Sequence, residues 1–271
     1  MEFTMSTVVC RHGARPMRQR VDWNSYAAVY DLMAQWNPAY QDLLDDLRRV
    51  IGATHLRAGD VIVDLGAGTG NFSLTAAAVW PSCRVVHVDL SEEMNARARD
   101  KRDDRQLNRV EIRTADVDTI ALPDDSVSWI TLVHALYALR DPEAVIARCY
   151  RWLRPGGRVF AIDPGAPFDV GEWTRYIMRS AAASQGPLRT LAMLWRARAA
   201  VRENRKISDA FAQRAYWRHD VATFRQPFVH AGFQVLESGT TYRGVSDRVI
   251  AQKPISDLPL PAAQDGFDWA V

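Results

Sequence analysis

Only three cysteines, Cys10, Cys83 and Cys149, occur among the 271 residues. An odd, scattered set offers no disulfide framework, and no Cys-x-x-Cys or Cys/His spacing points to zinc. A reducing compartment fits, so a cytoplasmic location is expected. No run of about 18 apolar residues occurs, which argues against a transmembrane segment. Residues 1–20 lack the apolar core of a secretion signal. With Arg11, Arg15, Arg18 and Arg20, they read as a flexible basic arm. Net charge is scarce as well: 34 basic side chains against 32 acidic ones leave +2. That balance argues against a nucleic-acid partner.

What is present is a full complement of apolar residues, 48% of the chain, enough for a packed core. The length suits one α/β domain with insertions. From Trp23 to Ile51 the spacing is helical, with a break near Asn37-Pro38. Val61–Leu65 is a short, β-branched apolar run that reads as a buried strand. Further strands are expected at Arg84–Val88, Val110–Arg113, Val127–Val133 and Arg158–Ile162, with a turn at Pro155–Gly157. Helical stretches separate them. This alternation predicts a Rossmann-like, mostly parallel sheet of seven strands with helices on both faces. Phe233–Leu236 and Val249–Ala251 are expected to pair antiparallel, so that the last strand runs against the others. Between Gly165 and His219 the alternation stops. That segment reads as a helical cap inserted after the fifth strand. The expected organisation is an arm at 1–20, a core with amino-terminal helices at 21–164, a substrate cap at 165–219, the end of the sheet at 220–253 and an irregular tail at 254–271.

The central motif is Val63-Asp64-Leu65-Gly66-Ala67-Gly68-Thr69-Gly70-Asn71, which closes a strand and opens a helix. Glycines allow a tight turn and let backbone N–H groups approach a ligand. The dinucleotide spacing GxGxxG would require glycine where Asn71 stands, which disfavours NAD.

The chain resembles the class I S-adenosylmethionine (SAM)-dependent methyltransferases of the small-molecule type. Val61 to Gly70 is similar to their first motif. Asp89 ends the second strand, Asp116 follows the third, Ala121–Ser126 precedes the fourth and Leu153–Gly157 precedes the fifth. The resemblance implies SAM as cofactor, S-adenosylhomocysteine as product and no metal. It places Asp64, Gly66, Ala67, Gly68, Gly70, Asp89, Leu90, Met94, Asp116, Val117 and Tyr30 at the cofactor. Asp89 would bind the ribose hydroxyls. Asp116 would bind the adenine amino group, with Asp118 competing for that role.

Three residues are candidates for the chemistry. Tyr26 and Tyr30 stand in a segment similar to the family's YxxxYD, where tyrosine approaches the methionine end of SAM; helix packing is the alternative reading. His134 follows the fourth strand and could serve as base or positioning group. Absent NPPY and DPPY motifs argue against methylation of DNA bases. No Pro-Cys nucleophile follows the fourth strand, and no Asp/Asp/Asn metal triad is evident. Ser128 stands where many relatives carry an acid.

Residues 171–220 hold ten basic side chains against four acidic ones. A solvated outer face explains this, and so would an anionic substrate, a lipid surface or a homodimer through the cap. The aromatic content of the cap suits an aromatic acceptor instead. The reading is methyl transfer to an O or N atom of a small metabolite, as in specialised biosynthesis. The alternatives are a lipid or quinone-precursor methyltransferase at a membrane surface, and a non-catalytic SAM-binding regulatory protein.

Overall fold

A computed structural model describes residues 21–255. The expected arm at 1–20 and residues 256–271 of the expected tail lie outside the described residues.

Seven strands form one sheet: β1 (Val61–Leu65), β2 (Arg84–Asp89), β3 (Val110–Thr114), β4 (Val127–Val133), β5 (Leu153–Pro164), β6 (Gln234–Thr241) and β7 (Ser246–Gln252). Their order is β3-β2-β1-β4-β5-β7-β6. The first five are parallel, and β7 runs antiparallel to both β5 and β6. The chain therefore reverses its direction of winding between β1 and β4. At such a switch point the loops leave a crevice at the strands' carboxyl ends, where open α/β sheets bind ligands.

Among the described residues, eight α-helices accompany the sheet: α1 (Trp23–Trp36), α2 (Pro38–Gly52), α3 (Asn71–Val79), α4 (Glu92–Asp104), α5 (Pro142–Trp152), α6 (Val170–Gln185), α7 (Pro187–Ala212) and α8 (Val221–His230). Alternate strand residues feed two cores, as the period of two demands. Ile62, Val85, Trp129 and Phe160 pack against Leu43, Leu47 and Ile51 of α2 and Leu74 of α3. Val63, Val86, Ile130 and Val159 pack against Ile146 and Trp152 of α5 and Phe224 and Phe228 of α8. Both strand faces are covered, which is why these strands read as apolar runs without alternation.

Local signals set the helix ends. Asn37 caps α2 by accepting the Ala39 N–H at 3.1 Å, with Pro38 in the first turn. Ser91 caps α4, whose first turn carries Glu92 and Glu93. The expected turn at Pro155–Gly157 lies inside β5: Gly156 has φ of +80°, so the chain bends there within a strand that begins at Leu153. Leu153 is fully buried and pairs with Val127. The Gly156 N–H donates to the Lys253 carbonyl at 2.9 Å, and the Lys253 N–H donates to the Gly157 carbonyl at 2.9 Å. The bend is absorbed as an irregularity in the β4–β5 pairing.

The insertion after β5 is a helical hairpin of α6 and α7 joined at Gly186, whose φ is +82°. Its ends meet where the His219 N–H donates to the Gly165 carbonyl at 3.2 Å. Tyr26 and Ala27 of α1 share a core with Ala200, Ile207 and Phe211 of α7. Helix α1 and the insertion together roof the carboxyl edge of β1 and β4.

Candidate functional site

Under that roof lies one cavity of about 840 Å³. Its floor is the turn after β1. Gly66, Gly68 and Gly70 have φ of +65°, +55° and +84°, which side chains rarely adopt. A Cβ on Gly66 would lie 2.6 Å from the Ala135 Cβ, so the loops after β1 and β4 touch without room for one more carbon. Gly68 lines the cavity, and its N–H donates to Asp89 Oδ2 at 2.8 Å. The Ser91 N–H donates to Asp89 Oδ1 at 2.9 Å. Each carboxylate oxygen keeps a further lone pair for a ligand hydroxyl. Burial raises the Asp89 carboxyl above its ordinary value, and the backbone N–H donors counter that.

Beside Asp89 stand Leu90, Met94 and Val117, all lining the cavity. Leu90 is 67% exposed, an apolar side chain left in the open at the rim. Asp116 and Asp118 line the same end. Arg140 binds both, donating to Asp116 at 2.9 Å and to Asp118 at 3.2 Å. A half-buried acceptor flanked by apolar side chains suits a flat, amino-bearing base.

The other end is walled by α1, α6, α7 and Tyr242. Trp173 stacks on Tyr242 at 4.6 Å, and Ile177, Met193, Ala197 and Val201 extend the apolar lining. Among the described side chains, no lysine or arginine of the insertion lines the cavity; Arg140, at the opposite end, does. Of the tryptophans Trp173, Trp195 and Trp217, only Trp173 lines it.

His134 sits between the two ends. Its φ of +53° is unusual for a residue with a side chain. The backbone is held there by an N–H donated to the Ile162 carbonyl at 2.8 Å. Its Nε2 meets Ser246 Oγ at 3.0 Å, and its ring lies edge-on to Tyr242 at 4.9 Å. Burial pushes the imidazole down to about 4, so it is neutral at physiological pH. Tyr26 and Tyr30 also line the cavity. Burial raises both phenols well above their ordinary value. Both are therefore neutral hydroxyls at physiological pH.

Eleven of the residues singled out from the sequence thus share this cavity: Tyr26, Tyr30, Gly66, Gly68, Asp89, Leu90, Met94, Asp116, Val117, Asp118 and His134. Asp64, Ala67 and Gly70 do not line it. Asp64 is buried beneath the turn with Oδ2 unpartnered, and burial raises its carboxyl to about 8. The Ala67 N–H ties the turn to the Val88 carbonyl at 3.0 Å. A Cβ on Gly70 would press on Ala98 of α4 at 3.1 Å. Among the described residues, no three His, Cys, Asp or Glu side chains are grouped to hold a metal ion.

The sequence reading missed a latch. Asp31 Oδ1 accepts from the Thr69 hydroxyl at 2.6 Å, from Lys101 Nζ at 2.9 Å and from Asn71 Nδ2 at 3.2 Å. It ties α1 to the glycine turn and to α4. The D of YxxxYD was its only sequence signal. Tyr242, in the turn between β6 and β7, had none.

A family profile described as a methyltransferase domain matches residues 63–161. The curated relatives include a ubiquinone/menaquinone biosynthesis C-methyltransferase of Teredinibacter turnerae, 30% identical over 54% of this chain and 59% of that protein. They also include a trans-aconitate 2-methyltransferase of Variovorax paradoxus, 33% identical over 56% of this chain and 57% of that protein. The chain spans between 33% and 59% of the length of such relatives. A geranyl diphosphate methyltransferase in complex with GPP and sinefungin shares the fold, with TM-score 0.57 and 14% identity over 82% of this chain and 80% of that one. Profile and fold agree: residues 63–161 match a methyltransferase domain, and the seven-stranded sheet around them is the fold of the geranyl diphosphate methyltransferase.

Proposed function

We propose that this protein transfers a methyl group from SAM to a small, uncharged, largely apolar ring of the quinone-precursor kind. The observation that carries the reading is the single cavity with Gly66, Gly68 and Asp89 at one end and an uncharged aromatic and aliphatic wall at the other. A volume of about 840 Å³ is near the upper end for small-molecule sites, which suits a cofactor and an acceptor together.

Each predicted residue has a task in this reading. Gly66 and Gly68 bring backbone under the methionine and ribose portions. Asp89 accepts from the ribose hydroxyls. Asp116 or Asp118 accepts from the adenine amino group, while Leu90, Met94 and Val117 cover its faces. Tyr30 borders the methionine end. Ala67 and Gly70 shape the turn, and Asp64 supports it from below. Bound SAM supplies an electrophilic methyl. The protein must then align the acceptor, exclude water and receive any proton the acceptor sheds. Neutral His134 is the candidate to position the acceptor by a hydrogen bond, since burial disfavours its protonated form and so weakens it as a base. Tyr26 and Tyr30 orient the acceptor.

Quinone-precursor methylation is preferred to methylation of an organic acid such as the one named for the Variovorax relative. An anionic acceptor would need cations, and the described part of the insertion offers none to the cavity. The test is incubation with SAM carrying an isotopically labelled methyl group and a panel of phenols, hydroquinones and organic acids, read by mass spectrometry. Labelled product from an apolar ring is expected. Label entering only the organic acids would overturn the choice of acceptor, and no transfer to any of them would overturn the reading.

A further inference from the structure

The two long faces of α7 have opposite characters. Met193, Ala197, Ala200, Asn204 and Ile207, spaced by four, three, four and three, line the cavity. At 3.6 residues per turn, Trp195, Arg198 and Arg202 fall on the opposite side. Trp195 is 67% exposed, and the Arg202 side chain is 69% exposed. The Arg198 guanidinium lies 4.4 Å over the Trp195 ring. Helix α6 repeats the division, with Trp173 and Ile177 toward the cavity and Arg175 and Arg179 exposed.

Charge separates this face from the rest of the molecule. Residues 171–220 hold ten basic against four acidic side chains, which leaves the remainder net acidic. Two of the four acids are also engaged. Glu203 is buried and bound to Lys206 at 2.9 Å, and Glu172 pairs with Arg243 at 2.9 Å. A cationic helix face bearing an exposed tryptophan matches a negatively charged bilayer surface, where indole settles at the headgroup level.

We propose that the outer face of the α6–α7 hairpin docks on an anionic lipid surface, with Trp195, Arg198 and Arg202 as its centre and Arg175 and Arg179 beside them. The same helix then rests on lipid with one face and walls the acceptor cavity with the other. An apolar acceptor dissolved in the bilayer is thereby brought next to its site. That purpose rests on the function proposed above, but the docking itself does not.

The experiment is flotation of the full chain with vesicles of phosphatidylcholine alone and of phosphatidylcholine mixed with phosphatidylglycerol. Binding is expected only to the mixed vesicles and should be released by salt. The Arg198→Glu/Arg202→Glu variant should weaken it by at least about twentyfold, since each cation near such a surface is worth roughly fivefold. Trp195→Ala should weaken binding, and Arg198→Lys/Arg202→Lys should retain it. Arg97→Glu/Arg225→Glu, exposed elsewhere, should leave it unchanged. Three results would overturn the proposal: no binding to mixed vesicles, equal binding to both vesicles, or a solution dimer abolished by the same Arg198 and Arg202 reversals. The readout requires no turnover, so a failure of docking is distinguishable from a failure of methyl transfer.

Discussion

At the glycine-turn end of the cavity, the lining is held by hydrogen bonds to backbone and between polar side chains. Asp89 is fixed by two N–H donors, the turn is tied to β2 through Ala67, and Asp31 clamps α1 onto Thr69 and Asn71. At the insertion end, aromatic and aliphatic side chains do the lining, with Trp173 stacked on Tyr242. The first end fixes positions to within the tolerance of a hydrogen bond. The second fixes volume and polarity and leaves shape to side-chain packing. Substitutions at the two ends should therefore fail in different ways.

The largest effect is expected from Gly66→Ala. The added carbon meets Ala135 at 2.6 Å from a backbone at φ +65°, and the combined strain and overpacking should cost about 2–6 kcal/mol. Thermal melting and SAM titration should both fall; unchanged values would refute the close approach of the two loops. Next is Ala197→Phe, which fills the insertion end. It should raise the acceptor KM at least about tenfold while SAM affinity stays constant. Equal losses in both would mean that the two ends are not independent.

Asp31→Ala comes third. The side chain is 36% exposed, so its charged pair is discounted for solvent. A three- to tenfold rise in the KM for SAM, roughly, with kcat little changed, is expected. A drop in kcat alone would mean that the latch acts on the chemistry and not on cofactor retention. The smallest effect is a pH slope. Burial raises the Asp64 carboxyl to about 8 from an ordinary 3.8. The folded state then holds a proton that the unfolded chain has released, so this contribution to stability is complete below 3.8 and lost as pH rises toward 8. His87 and His134, each pushed down to about 4 from 6.5, act in the opposite direction, but their stabilisation is fully present above 6.5. Between pH 6.5 and 8, melting temperature should decline in the parent protein and decline less in Asp64→Asn. Parallel curves would contradict the assignment.

The same contrast explains what could be read from the chain. The cofactor end was legible because its geometry demands particular residues: glycines where φ is positive, an acid at the end of β2, a helix cap at Ser91. Strand positions were legible from their apolar runs, except at Leu153–Gly157, where a proline and two glycines suggested a turn. There the chain does bend, at Gly156 with φ +80°, but buried Leu153 and the bonds to Lys253 hold the bend inside β5. The insertion end was legible only as composition. Its basic residues invited an anionic substrate, yet the described ones lie off the cavity, because helical periodicity and not charge count decides which face a side chain takes. Tyr242 was invisible because its role depends on β6 and β7 folding back to His134, a contact between residues far apart in sequence.

The central claim is that Asp89 and the glycine turn hold SAM. Calorimetric titration of SAM into the parent protein and into Asp89→Ala, with NAD as a control ligand, tests it most directly. SAM should bind the parent, bind the variant at least about tenfold more weakly, and NAD should give no binding heat. Equal SAM affinity in the two proteins, or NAD bound in preference to SAM, would contradict it.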